Sequence, residues 1–219
     1  MKQGVADMGL MAIENSIAGS IIPNYSILQD ENLQVAGEVY LPIKQNLMVL
    51  PDVELEDIQE VESHSMALLQ CVDYLDEHPW KLIESEDTAL SAKHIAEKGL
   101  RHTAAIASEL AADIFGLKIV APEINTIKSN YTRFMVLKRY DHYIDPAANK
   151  ASLYFKTDHK EGSLLRALSR LDDINLSKLQ SYPIPSEPWH YLFHIDLEFS
   201  CLDDYIRNLN RLQAVTKEI

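Results

Sequence analysis

Two cysteines in 219 residues, Cys71 and Cys201, are too few and too far apart for a disulfide framework, and neither stands in a C-x-x-C pair or a zinc spacing. The expectation is two buried, reduced thiols in a cytoplasmic protein. Positive charge is also scarce: 20 Lys and Arg face 33 Asp and Glu, a formal net charge of −13. Nucleic acid and anionic membrane reward clustered cations, so this balance argues against both as partners. It leaves a small anionic ligand open, because one guanidinium in a cleft locally outweighs a distant acidic surface. No apolar run approaches a membrane span. The opening MKQGVADMGLMAIENS is broken by Asp7 and Glu14, which is not how a signal peptide is built. Low-complexity tracts and fixed-period repeats are absent too, and the eight histidines fall in no metal-ligand arrangement.

What remains is an ordinary globular composition, 47% hydrophobic and 24% charged, long enough to bury a sizeable core. Up to about residue 140, short apolar runs alternate with amphipathic segments. GLMAI, IQEVES, WKLIES, TAAIAS, KIVAPEI and TRFMVLKR read as strands, and LQVAGEVYLPIKQNLMVLP reads as extended structure punctuated by Pro42 and Pro51. SMALLQCVDYLDEH, DTALSAKHIAEKGL and SELAADIFG read as helices, the last two closed by Gly99 and Gly116. Alternating strands and helices predict an α/β sheet.

Asn15-Ser16, Ser63-His64, Asp87-Thr88 and Ser108 each stand where a strand is expected to give way to a helix, which makes each a credible N-cap. Such ends gather on one side of an open α/β sheet, where ligands bind, and helix starts favour anions. With Arg133 nearby in the pattern, an anion cleft is expected.

Residues 139–150, RYDHYIDPAANK, read as a linker. After them the order changes to strand ASLYFKT, helix GSLLRALSRLDDI, strand NLSKLQSYPI, strand HYLFHIDLEF, helix CLDDYIRNLNRLQAV and the stub TKEI. That βαββαβ order is the ferredoxin-like split-βαβ plan. Two domains are therefore expected, 1–140 and 148–219, the second with its last strand cut short.

The polar cluster Ser129-Asn130-Tyr131-Thr132-Arg133 at the mouth of a strand is richer than a turn requires. Asn130 suits either a turn or an orienting role. Arg133 suits either a carboxylate ligand or a structural pairing with an acidic neighbour. On a strictly alternating strand Thr132 and Arg133 face opposite ways, so only an irregular strand end brings both to one ligand.

These segments resemble the prephenate dehydratase family over nearly the whole chain. GLMAIENSIAGSI is similar to its Pro-Ile-Glu-Asn-Ser segment, with Ala12 in place of the proline. ESHSMALLQC resembles its Ser-His and Gln-Cys segment, and NYTRFMVL its Asn-x-Thr-Arg-Phe signature. EGSLLRAL, LQSYPI and PWHYLFHIDLE resemble the ACT regulatory domain, which binds phenylalanine. The resemblance implies a two-lobed, type II periplasmic-binding-protein-like catalytic domain followed by an ACT domain. Two departures stand out. The family's N-terminal Gly-Pro-x-Gly-(Ser/Thr)-Phe unit is missing, so the catalytic domain is expected to be N-terminally incomplete. Gln180-Ser181-Tyr182-Pro183 lacks the arginine and glutamate of the regulatory motif.

The resemblance implies conversion of prephenate to phenylpyruvate, with arogenate as an alternative substrate and no metal or organic cofactor. It implies Thr132 as the catalytic hydroxyl and Asn15, Ser63, Gln70, Thr88, Asn130 and Arg133 as substrate contacts. Ser63 is expected to cap its helix, with Gln70 two turns in; Thr88 either binds a carboxylate at a helix start or caps it. Glu14, beside a dianion, suits a structural or orienting role, and His64 is either a general acid or a solvated ring. Gly162, Ser163, Leu164 and Asn175 are the implied contacts of an L-phenylalanine effector, in a homodimer or tetramer paired through ACT domains. From a different class, a non-catalytic anion-binding protein on the same two-lobed plan remains the competing reading.

Overall fold

The computed structural model describes residues 5–30, 33–141, 143–184 and 187–219. In chain order, β1 (Met8–Asn15), β2 (Gly19–Ser20), α1 (Ile22–Asp30), β3 (Leu33–Pro42) and β4 (Asn46–Val49) come first. They are followed by β5 (Glu60–His64), α2 (Ser65–Gln70), α3 (Val72–Leu75), β6 (Lys81–Ser85), α4 (Thr88–Lys98), β7 (Thr103–Ala107), α5 (Glu109–Phe115), β8 (Lys118–Ala121) and β9 (Tyr131–Arg139). The C-terminal part adds β10 (Lys150–Lys156), α6 (Ser163–Leu168), β11 (Asn175–Pro183), β12 (Tyr191–Glu198) and α7 (Leu202–Gln213). The chain forms two compact units: Met11–Ile21 with Glu38–Met135, and Met1–Leu10 with Ile22–Gly37 and Val136–Ile219. A four-stranded sheet has the order β2-β1-β9-β3.

The first of these units is built on a five-stranded sheet, order β6-β5-β7-β4-β8. β5 runs parallel to β6 and β7, while β4 runs antiparallel to β7 and β8. Every residue of β4 and of β7 is buried, which is why NLMV and TAAIA are near-continuous apolar runs and not alternating ones. Leu47, Val49, Val61, Leu68, Ala104 and Ile106 pack on one side; Met48, Ala92, Ile95, Ala105 and Ala112 pack on the other. Since β5, β6 and β7 are parallel, α2, α4 and α5 all start at the same edge, as expected for this class of sheet. Gly99 and Gly116 close α4 and α5 in the left-handed conformation, φ 62° and 67°.

Two expectations for this unit are corrected. The helix expected over 65–78 breaks at Cys71, between α2 and α3. The cause is an inserted segment: Thr126 donates its N–H to the Gln70 carbonyl at 2.8 Å, and its hydroxyl accepts the Asp73 N–H at 3.1 Å. The extended segment 33–51 is divided at Pro42, as read, into β3 and β4. Asn15-Ser16 begins a turn into β2, not a helix; the Asn15 Oδ1 accepts from the N–H groups of Ile17 and Ala18.

The other unit carries the three-stranded antiparallel sheet β10-β12-β11. One face packs Phe155, Ile195 and Leu197 against Ala167, Leu171 and Leu212 of the helical layer. The stub TKEI contributes a single antiparallel bridge, Glu218 to Lys156, at the outer edge of β10. The arrangement fits the ferredoxin-like plan. α6 ends at Leu168, short of the helix expected to Ile174. The second sheet face is covered by α1, an element with no clear apolar stripe in the sequence. Its Tyr25 is fully buried and lies 4.8 Å from the His194 ring and 5.3 Å from the Tyr182 ring. Within the expected linker, His142 lies outside the described residues; the flanking residues 140–141 and 143–149 form no strand or helix. Of the two thiols, Cys71 is buried as expected but Cys201 is exposed, because it precedes the first turn of α7.

Candidate functional site

At the start of β9 and the end of β1, three polar side chains meet. The Asn15 amide is oriented by its turn: with Oδ1 accepting two backbone N–H groups, Nδ2 must point the other way. There it reaches Asn130 Oδ1 at 2.8 Å, the Tyr131 carbonyl at 3.2 Å and Thr132 Oγ1 at 3.2 Å. Backbone bonds from Ser16 N to Tyr131 O and from Ile43 N to Asn130 O, both 2.8 Å, tie the same stretch on its two sides. The Thr132 hydroxyl oxygen therefore accepts from Asn15, and its own proton is directed elsewhere. Asn130 is 1% exposed, and its Nδ2 is buried with no hydrogen-bond partner. A buried, unmet donor beside an oriented hydroxyl is a place where a ligand oxygen gains more than it does in water. Asn15 itself has both ends of its amide engaged, so it organises the other two instead of offering a free contact.

Arg133 faces away from Thr132. β9 alternates strictly, so Arg133 shares its buried face with Met135 and Leu137, while Thr132 lies on the other face with Phe134. The guanidinium is 7% exposed and paired: Nε donates to Glu38 Oε2 at 2.5 Å, and Nη1 lies 3.9 Å from Glu14 Oε2. The strand end is regular, and the alternative of an acidic pairing is the one realised. Glu14, at the end of β1, is the second carboxylate near the guanidinium.

The remaining expected contacts are dispersed along the parallel edge. Ser63 does not cap α2; it is the fully buried penultimate residue of β5, donating to the Ile106 carbonyl at 2.7 Å. The cap is His64, whose Nδ1 accepts the Met66 N–H at 3.1 Å. Thr88 opens α4, but the cap is Asp87, whose Oδ1 accepts from Ala89 and Leu90 at 2.8 and 3.0 Å. A carboxylate already occupies that helix start, which removes its attraction for a second anion. Gln70 ends α2 and accepts from Gln45 Nε2 at 3.3 Å. Gln45 and Asn125 stand in no motif of the sequence. Asn125 holds the crossing segments together, accepting from Gln45 N at 2.8 Å and donating to the Ile43 carbonyl at 3.3 Å. Nothing in a single sequence marks such braces, since Gln and Asn are common in connections. Cys71, behind Gln70, is held as a thiol by burial, which pushes its pKa up to about 12.

In the other unit, Gly162 takes φ 71° ahead of α6, a conformation that favours glycine. Ser163 and Leu164 line a cavity of about 400 Å³ with His159, His190, Tyr191 and Phe193. Asn175 is not part of it. It pairs with Glu198 at the far end of β12, whereas the cavity includes Tyr191 at the near end. Its amide donates to Glu198 Oε2 at 2.9 Å, and this bond, with one from Ser177, holds the carboxylate below its ordinary pKa. No described helix is long and apolar enough to cross a membrane.

The prephenate dehydratase family profile matches residues 1–142. Arogenate dehydratase/prephenate dehydratase 2, chloroplastic, of Arabidopsis thaliana is 37% identical over 225 residues, covering 96% of this chain and 58% of that protein. The chain thus spans less than two thirds of that relative. A solved prephenate dehydratase of Arthrobacter aurescens, in complex with L-Phe, superimposes with a TM-score of 0.87 at 28% identity, over 98% of this chain and 73% of that one. A structure described as GqqA, a novel type of quorum quenching acylases, superimposes with a TM-score of 0.89 at 26% identity, over 99% and 80%.

Proposed function

Because the chain belongs to the prephenate dehydratase family, we propose that it catalyses the decarboxylating dehydration of prephenate to phenylpyruvate, with arogenate as the alternative substrate. The observation that carries this reading is the Thr132 hydroxyl, held by Asn15 beside the unmet Asn130 donor. In the reaction the bond from the ring to its carboxylate breaks, and its electron pair enters the ring. The carbon–oxygen bond on the opposite ring carbon breaks with its pair on oxygen. Carbon dioxide leaves, and the departing hydroxide takes up a proton to leave as water. Aromatisation supplies the driving force, so the reading calls for no metal or cofactor.

Threonine is too weak an acid to lose its proton outright near neutral pH. Its part is a hydrogen bond to the departing oxygen that strengthens as charge develops there, worth on the order of 10²–10³ in rate. Asn130 Nδ2 is the second donor of this site. Gln70, Ser63 and Thr88 stay as outer contacts of the proposal, with residues 1–140 as the catalytic domain. Arg133 leaves it as a ligand.

The acylase neighbour raises acyl transfer as a second reading. A threonine nucleophile needs a base at its hydroxyl. The described partner of Thr132 is an amide, which cannot take a proton, and this favours dehydration. The cavity beside Gly162 is the proposed effector pocket of residues 148–219, with L-phenylalanine as effector, Leu164 and Phe193 facing its ring, and a homodimer or tetramer formed through sheet edges. A cytoplasmic location belongs to the same reading.

Incubation with prephenate, followed by phenylpyruvate release, tests the proposal. Thr132→Val is expected to lower kcat about 10²–10³-fold while the protein stays folded. Absence of product from folded wild-type protein, or equal rates for the variant, refutes it.

A further inference from the structure

The side of β9 away from Thr132 carries an arrangement that the dehydratase reading leaves unused. β9 lies between β1 and β3 in its sheet. At Arg133 one guanidinium reaches Glu14 on β1 and Glu38 on β3, so a single cation ties three adjacent strands. Glu38 is itself held at both oxygens: Oε2 by Arg133 at 2.5 Å, and Oε1 by the Tyr40 hydroxyl at 3.0 Å. Arg133 is among the most buried charged groups described, whereas the two carboxylates keep 28% and 24% of their side-chain surface. Such a pair is geometrically specific because the guanidinium is planar and its donors form a rigid fork.

The consequence lies on the other face. Side chains one residue apart on a strand move together when the strand tilts or slides, and a one-residue slip would carry Thr132 to the wrong side. Thr132 reaches Asn15 over 3.2 Å, at the long end of a hydrogen bond, so a shift of a few tenths of an ångström breaks that contact. Asn15 follows Glu14 directly on β1, and Thr132 precedes Arg133 directly on β9. The same two strands that meet through Asn15 and Thr132 on one face are locked through Glu14 and Arg133 on the other.

We propose that Glu38, acting through Arg133 and with Glu14 as the opposite jaw, is a positioning residue that holds the Thr132 hydroxyl at its working place. The inference deepens the dehydratase reading and rests on it for its kinetic arm. It assigns Arg133 the task of setting the strand, and it gives a role to a glutamate lying outside every motif of the site.

Glu38→Gln separates this from the rival account in which Arg133 grips a substrate carboxylate. Positioning predicts that kcat falls about 10–100-fold with KM within about threefold, because binding groups are intact and only the oriented hydroxyl is misplaced. Ligation predicts the reverse: Glu38→Gln removes the carboxylate that competes for the guanidinium at Nε, and KM falls or stays while kcat holds. In a double-mutant cycle, Glu38→Gln with Arg133→Gln is expected to lower kcat no further than Arg133→Gln alone; additive losses overturn the proposal. Glu38→Asp, which keeps the charge on a shorter arm, is expected to recover part of the kcat lost by Gln; no recovery counts against the clamp.

Amide hydrogen exchange over residues 130–134 gives a second arm that needs no turnover. Protection there is expected to drop at least about tenfold in Glu38→Gln while the rest of the sheet keeps its protection. If wild-type protein makes no phenylpyruvate, the dehydratase reading fails by itself, and exchange alone decides the clamp. Unchanged protection at 130–134 overturns it under either result.

Discussion

Two sheet faces in this molecule bury polar groups, and they do so to opposite effect. Around β9, Arg133 sits between Glu14 and Glu38, carboxylates that remain partly hydrated, and the neighbouring face holds Thr132, Asn15 and an unmet Asn130 donor. On β12, His194 and Asp196 are fully buried: His194 Nε2 lies 3.0 Å from Asp196 Oδ1, which also accepts the Ser152 hydroxyl at 2.6 Å. His194 Nδ1 is buried without a partner as well, but the rings of Tyr25 and Tyr154 stand 4.8 and 4.9 Å from the imidazole. Tyr154, its own pKa raised by burial, donates its hydroxyl to the Tyr25 carbonyl at 3.2 Å. Unmet hydrogen-bonding capacity among other polar groups is a docking point for a ligand; the same capacity walled by aromatic rings is a cost of holding α1 in one orientation. Burial of polar atoms alone does not tell the two apart. Their surroundings do.

That contrast breaks first at Asp196. Asp196→Ala leaves the buried His194 Nε2 and the half-buried Ser152 hydroxyl without their acceptor, and is expected to destabilise by about 3–5 kcal/mol in urea unfolding. A loss under about 1 kcal/mol would mean that water reaches the cluster, and the two faces would then be alike. Next in size is Tyr25→Leu, which keeps apolar bulk but removes the ring contacts to His194 and Tyr182. A loss of about 1–2 kcal/mol is expected, read in the same way. Glu38→Gln sharpens the other side. With an acceptor oxygen retained and Glu14 still opposite Arg133, its stability cost is expected near 1 kcal/mol, so that its kinetic effect exceeds its thermodynamic one. A loss as large as that of Asp196→Ala would make the Arg133 cluster a structural core like the other.

How far the sequence carries follows from the same physics. The α/β sheet was legible because short apolar runs such as TAAIA alternate with amphipathic segments, and the caps at Asp87 and Ser108 because short acceptors before apolar periodicity have few other uses. A motif singled out Thr132 and Asn130, and both side chains meet the Asn15 amide. The pairing of Arg133 with Glu38 was not legible, since the side a strand residue faces depends on which neighbours arrive: Glu38 lies 95 positions away. The break at Cys71 needed Thr126, from a segment more than 50 positions on, to enter the helix ladder. α1 was illegible for another reason. Only Tyr25 and Leu28 of its nine residues are buried hydrophobics, too few for a stripe, and its stability comes from the sheet face it covers.

The smallest effect is expected at Asn175, at the end of β12 remote from the effector cavity. Its amide is the leading cause that keeps the Glu198 carboxylate below its ordinary pKa, ahead of Ser177 and of Lys150, which lies 3.4 Å away. A carboxyl whose folded pKa is depressed adds stability above its unfolded pKa and loses it as pH falls through the folded one. Asn175→Ala returns Glu198 towards its ordinary range, so wild type should exceed the variant slightly in urea midpoint near pH 7, and the gap should close as pH falls to about 3. A gap that persists in acid would mean that Asn175 acts through its strand backbone, and not through this carboxylate. If Asn175→Ala instead weakened L-phenylalanine binding in the assembled protein, a residue at the far end of one sheet would have to reach the cavity of a second copy, joining what one chain keeps apart.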